Sequence, residues 1–137
     1  MKTRSELRDI IVKVLYQVYI LNNTKVKYDV DTLIHEQLEI ENEFVESSIY
    51  GVIKNQESIT KLANTYLKDW TIDRLSKVDK AILSLGIYEL MYTDTPSVVC
   101  INETVELAKK YSDLEVVKMI NATMDAIYHS EDLHGKQ

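Results

Sequence analysis

Ala81-Ile82-Leu83-Ser84-Leu85-Gly86-Ile87-Tyr88-Glu89-Leu90-Met91-Tyr92 is the most apolar stretch of this 137-residue chain. Ser76-Lys77-Val78-Asp79 precedes it and resembles a capping box, which predicts a helix N-terminus at that point. A helix apolar on nearly all sides belongs inside a bundle rather than on its surface. The stretch therefore predicts a central, buried helix. Glu89 is its one anomaly, a carboxylate in the middle of an apolar helix. A catalytic acid would need a second acid or nucleophile beside it, and this helix supplies none. The better reading is a structural carboxylate that meets an Arg, a Lys or a backbone amide.

Helical spacing extends outward in both directions. Over residues 4–22, Leu7, Ile11, Val14, Val18 and Leu21 recur at intervals of three and four, and Ile10, Leu15, Tyr16, Tyr19 and Ile20 widen the face. This first helix is also predicted to be largely enclosed, leaving Glu6, Asp9, Lys13 and Gln17 as its polar stripe. Asp31 is the expected N-cap of a short helix through about Glu39, with Leu33, Ile34 and Leu38 inward. Two apolar stripes follow between Glu41 and Asp69, and the spacing leaves open whether they form one helix or two broken near Gln56-Glu57-Ser58. After a loop containing Pro96, Val98 to Tyr111 places Ile101, Val105 and Ala108 on one face and pairs Glu106 with Lys110. Ser112-Asp113-Leu114-Glu115 is a second apparent capping box, opening a last helix with Val117, Ile120, Met124 and Ile127 inward. Residues 131–137 lack periodicity and are expected to fray.

Composition agrees with an all-α domain. Three Gly and one Pro against 45% hydrophobic residues leave little material for hairpins or Gly-rich phosphate loops. Gly51 and Gly86, inside helices, are read as points of close packing. The single cysteine, Cys100, excludes an internal disulfide and lies in an apolar run, so it is read as a small buried hydrophobe. No apolar run reaches the ~18 residues of a membrane span, and the N-terminal residues lack a signal-peptide pattern, so a cytoplasmic protein is expected. The formal net charge of -6 counts against sequence-blind nucleic-acid binding. That charge is unevenly distributed. Residues 1–27 carry six basic and two acidic side chains, whereas residues 28–60 carry eight acidic and one basic.

Candidate chemistry is sparse. Asp125 and His129 lie one turn apart, but no His-Glu-x-x-His or paired Glu-x-x-His motif is present, so neither a metal site nor a cofactor is expected. Arg4 and Arg8 carry the better signal. At i,i+4 they are expected to project from one face of the first helix, with Lys2 just ahead. Arginine donates paired hydrogen bonds to phosphate, and the helix N-terminus adds amide donors.

Several motifs together resemble the NusB family of bacterial transcription antitermination factors. Arg8-Asp9-x-x-x-x-x-Leu15-Tyr16-Gln17 is similar to that family's opening helix. Trp70-x-x-Asp73-Arg74-Leu75-x-x-Val78-Asp79-Lys80-Ala81-Ile82-Leu83-x-Leu85-x-x-Tyr88-Glu89-Leu90 is the stronger match. Ile101-Asn102-Glu103-x-Val105-Glu106-Leu107-Ala108-Lys109-Lys110-Tyr111 and Lys118-x-x-Asn121-x-x-x-Asp125 follow in the family's order.

The resemblance implies one domain over residues 1–137, with a bundle over 1–70 and another over 71–130, built around the first helix and the Val78–Tyr92 helix. It implies a non-enzymatic factor that binds boxA RNA of ribosomal RNA leader transcripts jointly with the small-subunit ribosomal protein NusE. The wider setting it implies is the elongating RNA polymerase complex with other Nus factors, and relatives of this type include monomers and homodimers. By resemblance, Lys2, Arg4, Arg8, Tyr16, Glu115, Lys118 and Met119 face RNA, and Tyr16, Asp79 and Lys80 face the partner. Asn102 and Glu103 match the family signature and are read as capping or packing residues as readily as contacts.

Departures from the family pattern bear on affinity. Ser5 and Glu6 interrupt the arginine cluster, Met119 stands where an aromatic is common, and Ala122 stands where Gly is usual. Unaided RNA binding is expected to be weak and dependence on the partner greater. The alternatives are a helical protein–protein scaffold with little RNA affinity, or the accessory domain of a ribosomal RNA cytosine methyltransferase. The latter requires a cofactor-binding domain whose Gly-rich turn this chain lacks.

Overall fold

A computed structural model describes residues 1–133. It contains α1 (Arg4–Asn22), α2 (Val30–Gln37), α3 (Glu43–Lys54), α4 (Gln56–Tyr66), α5 (Lys77–Tyr92), α6 (Ser97–Tyr111) and α7 (Leu114–Tyr128), with short 3-10 turns at Ile72–Arg74 and Glu131–Leu133. The described residues contain no strand. No helix among them is long and apolar enough to cross a membrane.

The apolar stretch that opened the sequence reading is α5, and it is the axis of the molecule. Helices α1, α3, α4, α6 and α7 all pack against it. Ala81, Ile82, Leu83, Ser84, Leu85, Gly86 and Ile87 are buried in succession, as an all-round apolar helix requires. Helix α1 is the second enclosed element, with Ile11, Val12, Val14 and Leu15 fully buried between α2, α3 and α5. Gly86 permits the close approach of α6. A Cβ there would lie 2.4 Å from Thr104 Oγ1 and 2.8 Å from its methyl. Gly51 of α3 likewise admits the Tyr88 ring.

Caps explain most helix boundaries and correct several expectations. Thr3 and Glu6 form a reciprocal capping box at the start of α1, with Thr3 Oγ1 accepting from Glu6 N and Glu6 Oε1 accepting from Thr3 N. Asp29, not Asp31, caps α2 and accepts from Thr32 N, while Asp31 accepts from the Tyr50 hydroxyl across the bundle. The open question over residues 41–69 resolves into two helices. Asn55 ends α3 and begins α4, its amide donating to Gly51 O at 2.8 Å.

At α5, Ser76 accepts from Asp79 N, but the Asp79 carboxylate does not complete the box; it accepts from the Ser112 hydroxyl instead. Asp113 rather than Ser112 is the N-cap of α7. In α6 the fully enclosed residues are Cys100, Thr104, Leu107 and Ala108, so the inward face is rotated and Ile101 and Val105 are half-buried. Lys110 leaves Glu106 and reaches Asp9 of α1 at 2.9 Å, and Glu106 pairs with Lys109. The expected frayed tail is ordered in part: Leu133 is buried against α7 in the Glu131–Leu133 turn, whereas residues 134–137 lie outside the described residues.

Candidate nucleic-acid interface

Two concave regions flank the central helices. One is a groove of about 710 Å³ between the end of α4, the connection to α5, and one face of α7. Tyr66, Lys68 and Trp70 form its first wall, Arg74, Leu75, Ser76 and Asp79 its base, and Glu115, Val116, Lys118, Met119, Ala122, Thr123 and Ala126 the α7 wall. The other, of about 610 Å³, lies between the start of α1 and α6 and is lined by Lys2, Arg8, Asp9, Lys13, Glu103 and Lys110 among others.

The groove brings Glu115, Lys118 and Met119, expected to face RNA, together with Asp79, expected to face the partner. Capping by Asp113 presents the first turn of α7, so Glu115, Lys118 and Met119 fall on its groove side by helical spacing. Lys80, on the next position of α5, is turned away. Its ammonium pairs with Asp73 at 2.9 Å and lies 4.6 Å above the Tyr19 ring, so its charge is already engaged. Tyr16 is 43% exposed on the outer stripe of α1, one turn after Lys13.

Arg4 and Arg8 do not form the exposed pair expected from their spacing. Arg4 is exposed, with its guanidinium 4.0 Å over the Phe44 ring of α3. Arg8 is only 5% exposed. Its Nε and Nη2 donate to the two carboxylate oxygens of Glu89 at 2.7 and 2.9 Å, and Nη1 donates to Glu103 at 2.9 Å. The correction has a simple cause. At i,i+4 Arg8 follows Arg4 along α1, but the helix has by then passed beneath α5 and α6, and the buried Glu89 needs a cation. Burial by itself would lower the Arg8 pKa, but the bonds and charges of Glu89 and Glu103 outweigh it and raise the value. Glu103 also accepts from the Ser5 hydroxyl at 2.5 Å, so its bonds to Ser5 and Arg8 both tie α6 to α1. Asn102 is exposed.

The second cleft is electrically mixed. Asp9 accepts from Lys110, Lys13 and the Tyr111 hydroxyl, and these bonds outweigh burial to hold its carboxyl below the ordinary value. Lys13 and Lys110 are therefore tied to a carboxylate. In the groove, by contrast, Lys68, Arg74 and Lys118 form no ion pair among the described residues. From the sequence, Trp70 and Arg74 are motif residues only, Tyr66 belongs to the apolar stripe with Ile59, Leu62, Ala63 and Leu67, and Lys68 has no assignment. The available signal was a lone tryptophan in the polar segment Lys68-Asp69-Trp70-Thr71. Among the described residues no three His, Cys, Asp or Glu side chains gather as a metal site, and His129 is exposed beside Asp125.

Comparison with known proteins bears directly on this arrangement. The NusB family model matches residues 5–129. The chain belongs to the NusB family. The transcription antitermination protein NusB of Methylacidiphilum infernorum is 39% identical over 134 residues, spanning 93% of this chain and 91% of that protein. A Campylobacter jejuni NusB is 37% identical over 130 residues, spanning 93% and 96%. Among solved structures, T. maritima NusB superposes with a TM-score of 0.78 at 32% identity, covering 93% of this chain and 92% of that one. A crystal structure of antitermination factors NusB and NusE in complex with dsRNA matches with a TM-score of 0.76 at 27% identity, covering 91% and 95%.

Proposed function

We propose that this protein is a transcription antitermination factor that binds boxA RNA of ribosomal RNA leader transcripts together with NusE, with no covalent chemistry of its own. Family membership supports the role, and a related NusB has been crystallised with NusE and RNA. The observation that carries the reading on this chain is the groove. It combines three cations outside ion pairs with a half-exposed indole on a protein whose net charge is -6. Phosphate contacts fix an RNA strand in place and base contacts select it. Lys118, Glu115 and Met119 act in the groove, and Lys2 and Arg4 extend phosphate contacts at the start of α1. Tyr16, Asp79 and Lys80 lie at the boundary that NusE shares. Arg8 acts from the interior by holding α1 on α5. The protein works in the bacterial cytoplasm, within the elongating polymerase complex and alongside other Nus factors.

Fluorescence anisotropy of labelled boxA RNA, titrated with the protein alone and with NusE, tests this reading. Tighter binding to boxA than to a scrambled RNA is expected, with NusE increasing affinity and added salt reducing it. Equal weak binding to both RNAs with NusE present refutes the specific claim. Capture of NusE with no influence of RNA supports a protein scaffold instead.

A further inference from the structure

Trp70 is the chain's single tryptophan and is 48% exposed at the wall of the groove. The turn that carries it is pinned on both sides. Leu67 and Ile72 are buried, Asp69 adopts the left-handed φ of 62°, and Asn64 Oδ1 accepts from Ile72 N at 2.8 Å. The indole is thus held out over the groove by a clamped segment rather than left there by a loose one. Across from it, Ala122, Thr123 and Ala126 keep the α7 wall low and leave a slot. Lys68, Arg74 and Lys118 surround that slot, against the carboxylates of Glu115 and Asp79, the latter taken up by the Ser112 hydroxyl.

An aromatic face beside a cationic rim matches a single-stranded nucleic acid, in which flat bases and phosphates alternate. An apolar protein side chain would fill the slot but leave the three cations unanswered. We infer that the groove receives one unpaired base of the bound RNA, stacked on Trp70, with adjacent phosphates held by Lys68, Arg74 and Lys118. This rests on the RNA-binding reading above and specifies where a base enters.

Because Trp70 is the only indole, its emission reports the slot directly. The intact protein with NusE is titrated with single-stranded boxA RNA while anisotropy of the labelled RNA and emission from Trp70 are recorded together. The Trp70→Phe variant supplies the blank. Emission is expected to be quenched in step with anisotropy, and one abasic substitution in the RNA should abolish the quench while neighbouring ones do not. Trp70→Ala should weaken binding roughly 5- to 150-fold, equivalent to about 1–3 kcal/mol of stacking. Trp70→Phe, which retains a ring, should remain within about threefold of the parent, and thermal midpoints of both variants establish that they fold. If anisotropy rises with unchanged emission and Trp70→Ala binds within twofold of the parent, the base slot is refuted and RNA binding stands. If NusE alone changes the emission and RNA adds nothing, the groove is a protein-docking surface and the inference fails. Absence of boxA binding even with NusE removes both readings.

Discussion

Replacing Arg8 with methionine keeps most of the stem that packs beneath α5 and deletes the guanidinium. In the parent, the Arg8 and Glu89 side chains are 6% and 3% exposed and joined by two hydrogen bonds, with a third from Arg8 to Glu103. Removing one member of a buried ion pair costs about 3–5 kcal/mol, because the remaining charge stays in a medium that solvates it poorly. For 137 residues, with an unfolding entropy of about 2.1 cal/mol/K per residue, that loss lowers Tm by roughly 10–17 °C. Arg4→Met is the control. Its exposed guanidinium over Phe44 contributes about 0.5–1 kcal/mol, a shift of only a few degrees. Scanning calorimetry at neutral pH compares the two variants with Arg8→Met combined with Glu89→Leu. The double variant should recover much of the loss, since an apolar pair of similar volume often matches a buried ion pair in stability. Equal shifts for Arg4→Met and Arg8→Met, or simple additivity of the Arg8 and Glu89 substitutions, would refute the reasoning.

Gly86→Ala forces a methyl to within 2.4 Å of Thr104 Oγ1, and overpacking of this kind costs about 1–3 kcal/mol. Urea denaturation should show the loss, and adding Thr104→Ala should relieve it. The depressed Asp9 carboxyl contributes stability that is fully present above its ordinary value of 3.8 and is lost as pH falls below that value through the folded one. Denaturation midpoints measured between pH 6 and pH 2.5 should therefore fall less steeply for Asp9→Asn than for the parent. Burial raises the Tyr19 hydroxyl to about 12 from 10.0, so its contribution is present below pH 10 and lost as pH climbs through 12. Tyr19→Phe should remove one late-titrating phenol from the 295 nm absorbance curve and reduce the loss of stability over that range.

Periodicity made α5 and α1 legible because enclosure on all sides leaves a pattern in one continuous stretch. Arg8 and Glu89 were each singled out, but nothing local links residues 81 positions apart, so one was read as a phosphate contact and the other as a structural carboxylate meeting an Arg, a Lys or a backbone amide. Their pairing answers both questions at once. The α2 cap went to Asp29 because two aspartates two residues apart satisfy the same local rule, and only the long-range bond from Tyr50 distinguishes them. In the candidate interface, Glu115, Lys118 and Met119 were named only through the resemblance to the family, and their common placement in the groove follows from their spacing on α7. Lys68 and Trp70 had no such signal, because they reach the groove through a turn whose course depends on the left-handed Asp69 and the clamp from Asn64, while Tyr66 enters from the last position of α4.

The Arg8–Glu89 bond also sets a schedule for the nascent chain. At about 5–20 residues per second, Arg8 is synthesised some 4–16 s before its partner, and Glu103 follows later still. Until then α1 has neither the counter-charges for its buried guanidinium nor the apolar wall of α5. The first helix is thus made early and committed late, with native packing deferred until the second half of the polypeptide has emerged. A ribosome-bound chain arrested before α5 should remain open to protease at α1, and one arrested well beyond α6 should not.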